Sequence, residues 1–132
     1  MKTTINGEEE VKLLVRQFYG KVLQDEMLAP LFEYALENKW DQHLQLLDKF
    51  WMNVLFYTGG YTGNPMQVHS QLHFFRKLTK EHFAVWLRLF VQTVDELFEG
   101  EKAELAKQRA HSISTVMQLK ILHQAEASSS IY

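Results

Sequence analysis

The stretch Phe56-Tyr57-Thr58-Gly59-Gly60-Tyr61-Thr62-Gly63-Asn64-Pro65-Met66-Gln67-Val68-His69 decides how this chain is read. A run so rich in glycine does not continue a helix cheaply, so residues 58–65 are expected to form a loop. Pro65 suits the first turn of a helix, and the short segment it opens carries Met66, Val68 and His69. On both sides of this stretch apolar residues recur with helical period. One histidine therefore stands just past a loop and between two long apolar helices.

Upstream, the spacing predicts a helix from about Trp40 to Tyr57, with His43, Leu47, Phe50 and Val54 on one face. Downstream, residues 70–79 mix Phe74 and Phe75 with Arg76 and Lys77. The helical signal then returns from Glu81 to Phe98 through Phe83, Trp86, Leu87, Phe90, Val94, Leu97 and Phe98. Thr79 with Glu81 reads as a capping sequence for that helix, and Gly100 as its stop. Near the N-terminus, Val11, Leu14, Val15, Phe18, Val22 and Leu23 mark a first helix, begun by Asn6 or by the acidic run Glu8-Glu9-Glu10. Leu28-Ala29-Pro30-Leu31-Phe32 reads as a tight corner and a short helix ending near Asn38. The last helix is expected from about Glu101 to His123, with Leu105, Ala110, Ile113, Val116, Met117 and Ile121 as its buried stripe. The expectation is one all-α domain over residues 1–124 and a mobile tail over 125–132.

The chain has 132 residues, enough for one domain with a sizeable core. It has no cysteine, which excludes disulfide scaffolds, thiolate metal sites, iron–sulfur clusters and cysteine nucleophiles. A net charge of −2 leaves no basic footprint for nucleic acid. No apolar run reaches the roughly 18 residues of a membrane span, and Met1 to Lys12 lacks the apolar core of a signal peptide. A soluble, cytoplasmic protein is expected. Aromatic residues make up 13% of the chain, enough to line a cavity as well as fill a core.

His69 and His73 are four apart, which would place two imidazoles on one helical face, but no HExxH or Glu-x-x-His pattern supplies the further ligands a metal ion needs. Taken alone, His69 facing an aromatic, apolar cleft is what a haem iron requires on its proximal side. A histidine near a core is also commonly a hydrogen-bonded structural residue, so that reading stays open on composition. Tyr19, His43 and Trp86 lie on or beside apolar helix faces, and each carries a hydrogen-bond donor that needs a partner when buried. No GxSxG elbow and no GxxxxGK[ST] phosphate loop is present, which removes the hydrolase and kinase readings.

The run from Tyr57 to His69, in the pattern Y-x-G-x-Y-x-G-N-P-M-x-x-H, closely resembles the haem-ligand segment of the group III truncated haemoglobins. Phe18-Tyr19, Leu28-Ala29-Pro30-Leu31-Phe32, His43 eight residues before Trp51, and His82-Phe83 through Trp86-Leu87 to Leu89-Phe90 agree in order. The resemblance spans about Ile5 to Met117. It implies a truncated globin fold, a two-over-two helical sandwich around haem b. By the same resemblance His69 is the proximal iron ligand, Tyr19 and Trp86 are distal donors to bound ligand, and His43 is the distal histidine. Phe32 would pack on the haem at the corner. Facing alone adds Leu47, Phe50, Leu72, Phe83, Phe90 and Met117 to the expected pocket. Residues 72–80 contain no proline where the family typically has a Pro-containing link, and Arg76 and Lys77 are candidates to meet the propionates.

The resemblance implies a protein that binds dioxygen, nitric oxide or carbon monoxide at ferrous iron, with donors that slow ligand release. A haem enzyme, either a nitric oxide dioxygenase or a peroxidase-like oxidant, is the alternative, and it would need a separate reductase. A haem-free helical interaction module is the third reading.

Overall fold

The computed structural model describes residues 2–30, 32, 39–57 and 79–129, with side chains as far as Leu119. Four helices are found among them: α1 (Glu8–Gln24), α2 (Trp40–Phe56), α3 (Lys80–Leu97) and α4 (Glu101–Ser129). The glycine-rich stretch, the short helix expected after Pro65, and the link up to residue 78 lie outside the described residues, as does most of the segment expected to run to Asn38.

The acidic run opens α1, as the dipole of the first turn favours, and Gly7 stands at its N-cap without a side-chain cap. Asn6 does not cap the helix; its Oδ1 accepts from Thr4 Oγ1 at 2.9 Å, while its backbone N–H donates to Glu10 Oε1 at 2.9 Å. Asp25 ends α1 and starts the corner, its Oδ1 accepting from the backbone N–H groups of Met27 (2.9 Å) and Leu28 (3.0 Å). Leu28 and Phe32 then turn inward and are buried.

α2 ends at Tyr57, which takes the left-handed conformation at φ 57°. A non-glycine residue there costs about 1–2 kcal/mol. Lys102 offsets part of this, donating from Nζ to the Leu55 carbonyl at 2.6 Å and lying 5.2 Å from the Phe56 ring centroid and 5.8 Å from that of Tyr57. α3 is capped by Thr79, whose side chain hydrogen-bonds the Glu81 carboxylate and whose reciprocal partner is His82: the Thr79 N–H donates to His82 Nδ1 at 2.9 Å and the His82 N–H returns to Thr79 Oγ1. The reciprocal bond needs an acceptor at the third helical position, and an unprotonated imidazole nitrogen supplies it.

α1 packs on α2, and α3 on α4; α1 also meets α3, and α2 meets α4. This is a two-over-two sandwich. Its centre is aromatic. Phe18 stands edge-on to Phe90 (centroids 5.2 Å) and to Trp86 (5.6 Å), and Phe90 stacks on Trp51 at 4.8 Å. α4 meets this core with small residues: Ala103, Ala106, Ala110 and Ser114 are buried. Of the expected α4 stripe, Ala110 is buried, Leu105, Ile113 and Met117 are half-buried, and Val116 is exposed. The inward face follows the alanines, and Val116 falls off it. The helix also runs past His123 to Ser129; residues 124–129 contain no glycine or proline to stop it.

A short strap closes the structure. Thr3 pairs in parallel with Phe98, its N–H donating to the Leu97 carbonyl (3.3 Å) and its carbonyl accepting from Glu99 N–H (2.9 Å), and Ile5 behind it is buried. α3 therefore stops before Gly100, whose φ of 103° makes the corner into α4. No described helix is long and apolar enough to cross a membrane.

Candidate functional site

Tyr19 is the residue on which the described elements converge. On α1 the helical period carries Val15, Phe18 and Val22 inward, and Tyr19, one position round from Phe18, is 6% exposed. Its ring meets rings from every side: Phe18 from its own helix (centroids 4.9 Å), Phe32 from the corner (6.0 Å), and Trp40 (5.7 Å) and His43 (5.5 Å) from α2. The hydroxyl lies 3.4 Å from His43 Nε2 and within hydrogen-bonding reach of the Trp86 indole on α3.

Burial pushes the Tyr19 phenol well above its ordinary value of 10.0, and the Trp86 hydrogen bond draws it part of the way back. The phenol is therefore neutral around pH 7 and keeps its proton. An indole N–H only donates, so the Tyr19 oxygen accepts from Trp86 and its own O–H is directed elsewhere. A separation of 3.4 Å is long for a hydrogen bond, so His43 holds that proton loosely. The neutral Tyr19 hydroxyl and the Trp86 indole thus meet beside the His43 ring.

The other residues expected to line the pocket are apolar. His43, Leu47, Phe50 and Val54 are half-buried along α2, while Trp51 and Leu55, one step round the helix, are buried in the core. Phe32 and Phe83 are buried, and Met117 is half-buried on α4. Phe90, at 1% exposure, stands behind Trp86, stacked with it at 6.0 Å. His69 and Leu72 lie outside the described residues. Ring donors within an apolar, aromatic surround fit a flat apolar group presenting a small polarised ligand. They do not fit a hydrated cation, and no group of three metal-ligating side chains occurs among the described residues.

Two features escaped the sequence reading. Trp40, three residues before His43 on α2, contributes a ring 6.1 Å from that histidine as well as its contact with Tyr19; the i, i+3 spacing was the available signal. Asp48 is buried amid the apolar residues of α2 and is paired with Arg16 of α1, at 2.9 Å from Nη1 and 3.0 Å from Nη2. The carboxylate raises the Arg16 guanidinium further above its ordinary value. An acidic residue beside Leu47 in an apolar helix signals a missing cation, but its partner is 32 residues away in sequence.

Comparison with known proteins gives consistent results. A model of the bacterial-like globin family matches residues 3–122. A group 3 truncated haemoglobin of Campylobacter jejuni is 32% identical over 121 residues, which cover 89% of this chain and 93% of that protein. The crystal structure of a group III truncated haemoglobin from Campylobacter jejuni superposes with a TM-score of 0.81 at 29% identity, covering 92% of this chain and 95% of the other.

Proposed function

This chain belongs to the bacterial-like globin family, among the group III truncated haemoglobins, and from that premise we propose that it holds haem b through His69 and binds dioxygen, with nitric oxide and carbon monoxide as further ligands. When bound, the haem supplies a ferrous iron that takes up a diatomic ligand. His69 closes the motif by which this chain resembles the family's haem-ligand segment. Phe32, Leu47, Phe50, Leu72, Phe83, Phe90 and Met117 exclude water and provide the apolar surround.

The convergence of Tyr19, His43 and Trp86 carries the proposal. Tyr19 keeps its proton because it is buried, and Trp86 donates to the Tyr19 oxygen, which leaves the hydroxyl proton to be aimed. A ligand that accumulates negative charge on its outer atom draws that proton away from the long contact with His43. With that proton turned to the ligand, His43 can only donate to the tyrosine oxygen, from the tautomer that carries a hydrogen on Nε2. A charge-assisted hydrogen bond contributes about 1.5–3 kcal/mol, and each 1.4 kcal/mol is about tenfold in an equilibrium constant. The chain therefore releases dioxygen slowly, which suits capture or sensing better than bulk transport.

Absorption spectra of the haem-loaded protein, ferric, reduced and then with carbon monoxide, test the ligand. His69→Ala is expected to weaken or abolish the Soret band, and an unaffected band would send the assignment to another residue. Oxygen release from Tyr19→Phe and Trp86→Leu tests the donors. Acceleration of about tenfold or more is expected, and no change in either variant would overturn the donor assignment.

A further inference from the structure

The contact between α1 and α2 carries a second polar cross-link, which the ligand chemistry above does not use. Arg16 sets both arms of its guanidinium on the carboxylate of Asp48, Nη1 to Oδ1 at 2.9 Å and Nη2 to Oδ2 at 3.0 Å. Nη1 also donates to the Lys12 carbonyl at 3.2 Å, which ties the fork to its own helix. Asp48 is 5% exposed, and the residues that share its side of α2, Trp51 and Leu55, are core residues.

Stability alone does not call for this pair. Removing a carboxylate from water costs several kcal/mol, and replacing a buried ion pair with apolar side chains of similar volume is often neutral or stabilising. What a two-point fork provides is direction: both N–H···O bonds are satisfied in one orientation of the two helices. The Tyr19–His43 contact lies across the same interface. Arg16 and Tyr19 are three residues apart on α1, and Asp48 and His43 lie in the opposite order on α2, so the two cross-links are neighbours between antiparallel helices. A slide or rotation that opens the fork also moves Tyr19 against His43. At 3.4 Å that contact cannot hold its own geometry, and a shift of a few tenths of an ångström removes it.

We propose that Arg16 and Asp48 form a positioning clamp that fixes α1 against α2 so that the Tyr19 hydroxyl stays between His43 and Trp86, aimed at the ligand. The clamp rests on the reading of Tyr19 as a ligand donor. Neither Arg16 nor Asp48 reaches the donors; both act through the helices that bear them.

The test uses the haem-loaded carbon monoxide and dioxygen complexes of Asp48→Asn and Arg16→Lys. Asparagine keeps the shape of aspartate without the charge, and lysine keeps the charge without the fork. The readouts are the 13Cζ resonance of Tyr19 in tyrosine-labelled protein, assigned by its loss in Tyr19→Phe, the carbon monoxide stretching frequency, and the rate of oxygen release. Both variants are expected to move the Tyr19 resonance and the stretch, and to speed release roughly three- to tenfold, within the span of mutations that act through a packed network. In a Tyr19→Phe background Asp48→Asn is expected to add nothing to the release rate, because the group it positions is gone. A wild-type Tyr19 resonance and release rate, with loss of thermal stability only, would make the pair merely structural and overturn the clamp. Equal acceleration with and without Tyr19 would overturn it too. Should Asp48→Asn not fold, Arg16→Lys decides, since position 16 is itself exposed and the buried carboxylate keeps a cation. Failure of the donor reading shows differently: Tyr19→Phe alone would then leave release unchanged, while the Tyr19 resonance would still report whether the clamp positions it.

Discussion

The two layers of the sandwich are built by different means. Between α1 and α2 the interior holds a carboxylate, a phenol and an imidazole: Asp48 on Arg16, and Tyr19 on His43. In the α3–α4 layer, α4 turns Ala103, Ala106 and Ala110 to the core and α3 turns Phe83, Phe90 and Val94. The ion pair described between α3 and α4, Lys107 with Asp95 at 2.7 Å, stays at the surface. Surface pairs contribute about 0–1 kcal/mol and set little geometry. Small apolar residues bring helices close but tolerate sliding, whereas buried directional bonds fix register. Tyr19 and His43 lie in the layer in which register is specified, and Trp86 reaches them from α3.

The comparison breaks most severely at the residue both layers share. Phe90 is 1% exposed and touches Phe18 of α1, Trp51 of α2 and Trp86 of its own helix. Phe90→Ala is expected to cost about 3–5 kcal/mol in urea unfolding, the range for a large core ring. A loss below about 1 kcal/mol would mean that the layers close up without it.

Ala106→Leu sharpens the contrast. Ala106 is fully buried, so a larger side chain must push α4 away, at a cost of about 1–3 kcal/mol. Oxygen release is nevertheless expected to stay within about twofold of wild type, because additivity holds for sites that share no partners. Acceleration as large as that of Asp48→Asn would show that both layers set the donors. A smaller effect is expected at the corner between α3 and α4. Gly100 has φ 103°, and a Cβ there would lie 3.3 Å from Thr4 Cγ2, so Gly100→Ala should cost about 1 kcal/mol and loosen the strap. Faster hydrogen exchange at the Thr3 and Glu99 amides would report that loosening.

What could be read from the sequence follows the same division. α1, α2 and α3 were legible nearly to their ends because large apolar residues recur with helical period. Tyr19, His43 and Trp86 were legible as candidates because polar tips on apolar faces need partners. The inward face of α4 was less so: alanine carries burial without a strong apolar signal, and Val116 drew the stripe off its true line. Asp48, Trp40 and the Thr3–Phe98 strap could not be found by periodicity, since each depends on a partner brought near only by folding. Glu81 was legible as a partner of Thr79, whereas finding His82 as the reciprocal one needed the knowledge that an imidazole nitrogen can accept from the N-cap amide.

The smallest effect near neutral pH, and the most specific to the polar layer, is the alkaline behaviour of Tyr19. In the unfolded chain its phenol ionises around 10.0, whereas in the fold burial holds the proton to higher pH. Below that value both states carry the proton, so Tyr19 adds no pH dependence. Above it the folded state binds more protons than the unfolded one, and stability falls as pH rises, by up to about 1.4 kcal/mol per pH unit, until the folded phenol ionises as well. Lys107, also raised, by Asp95 first and then Glu104, loses its contribution in the same alkaline window. The informative quantity is therefore the difference between wild type and Tyr19→Phe, both of which keep Lys107. Between about pH 9 and pH 11 the wild type should lose stability more steeply than the variant. Parallel curves would mean that the phenol is as accessible to water in the fold as out of it, and Tyr19 could not then hold its proton in reserve for a ligand.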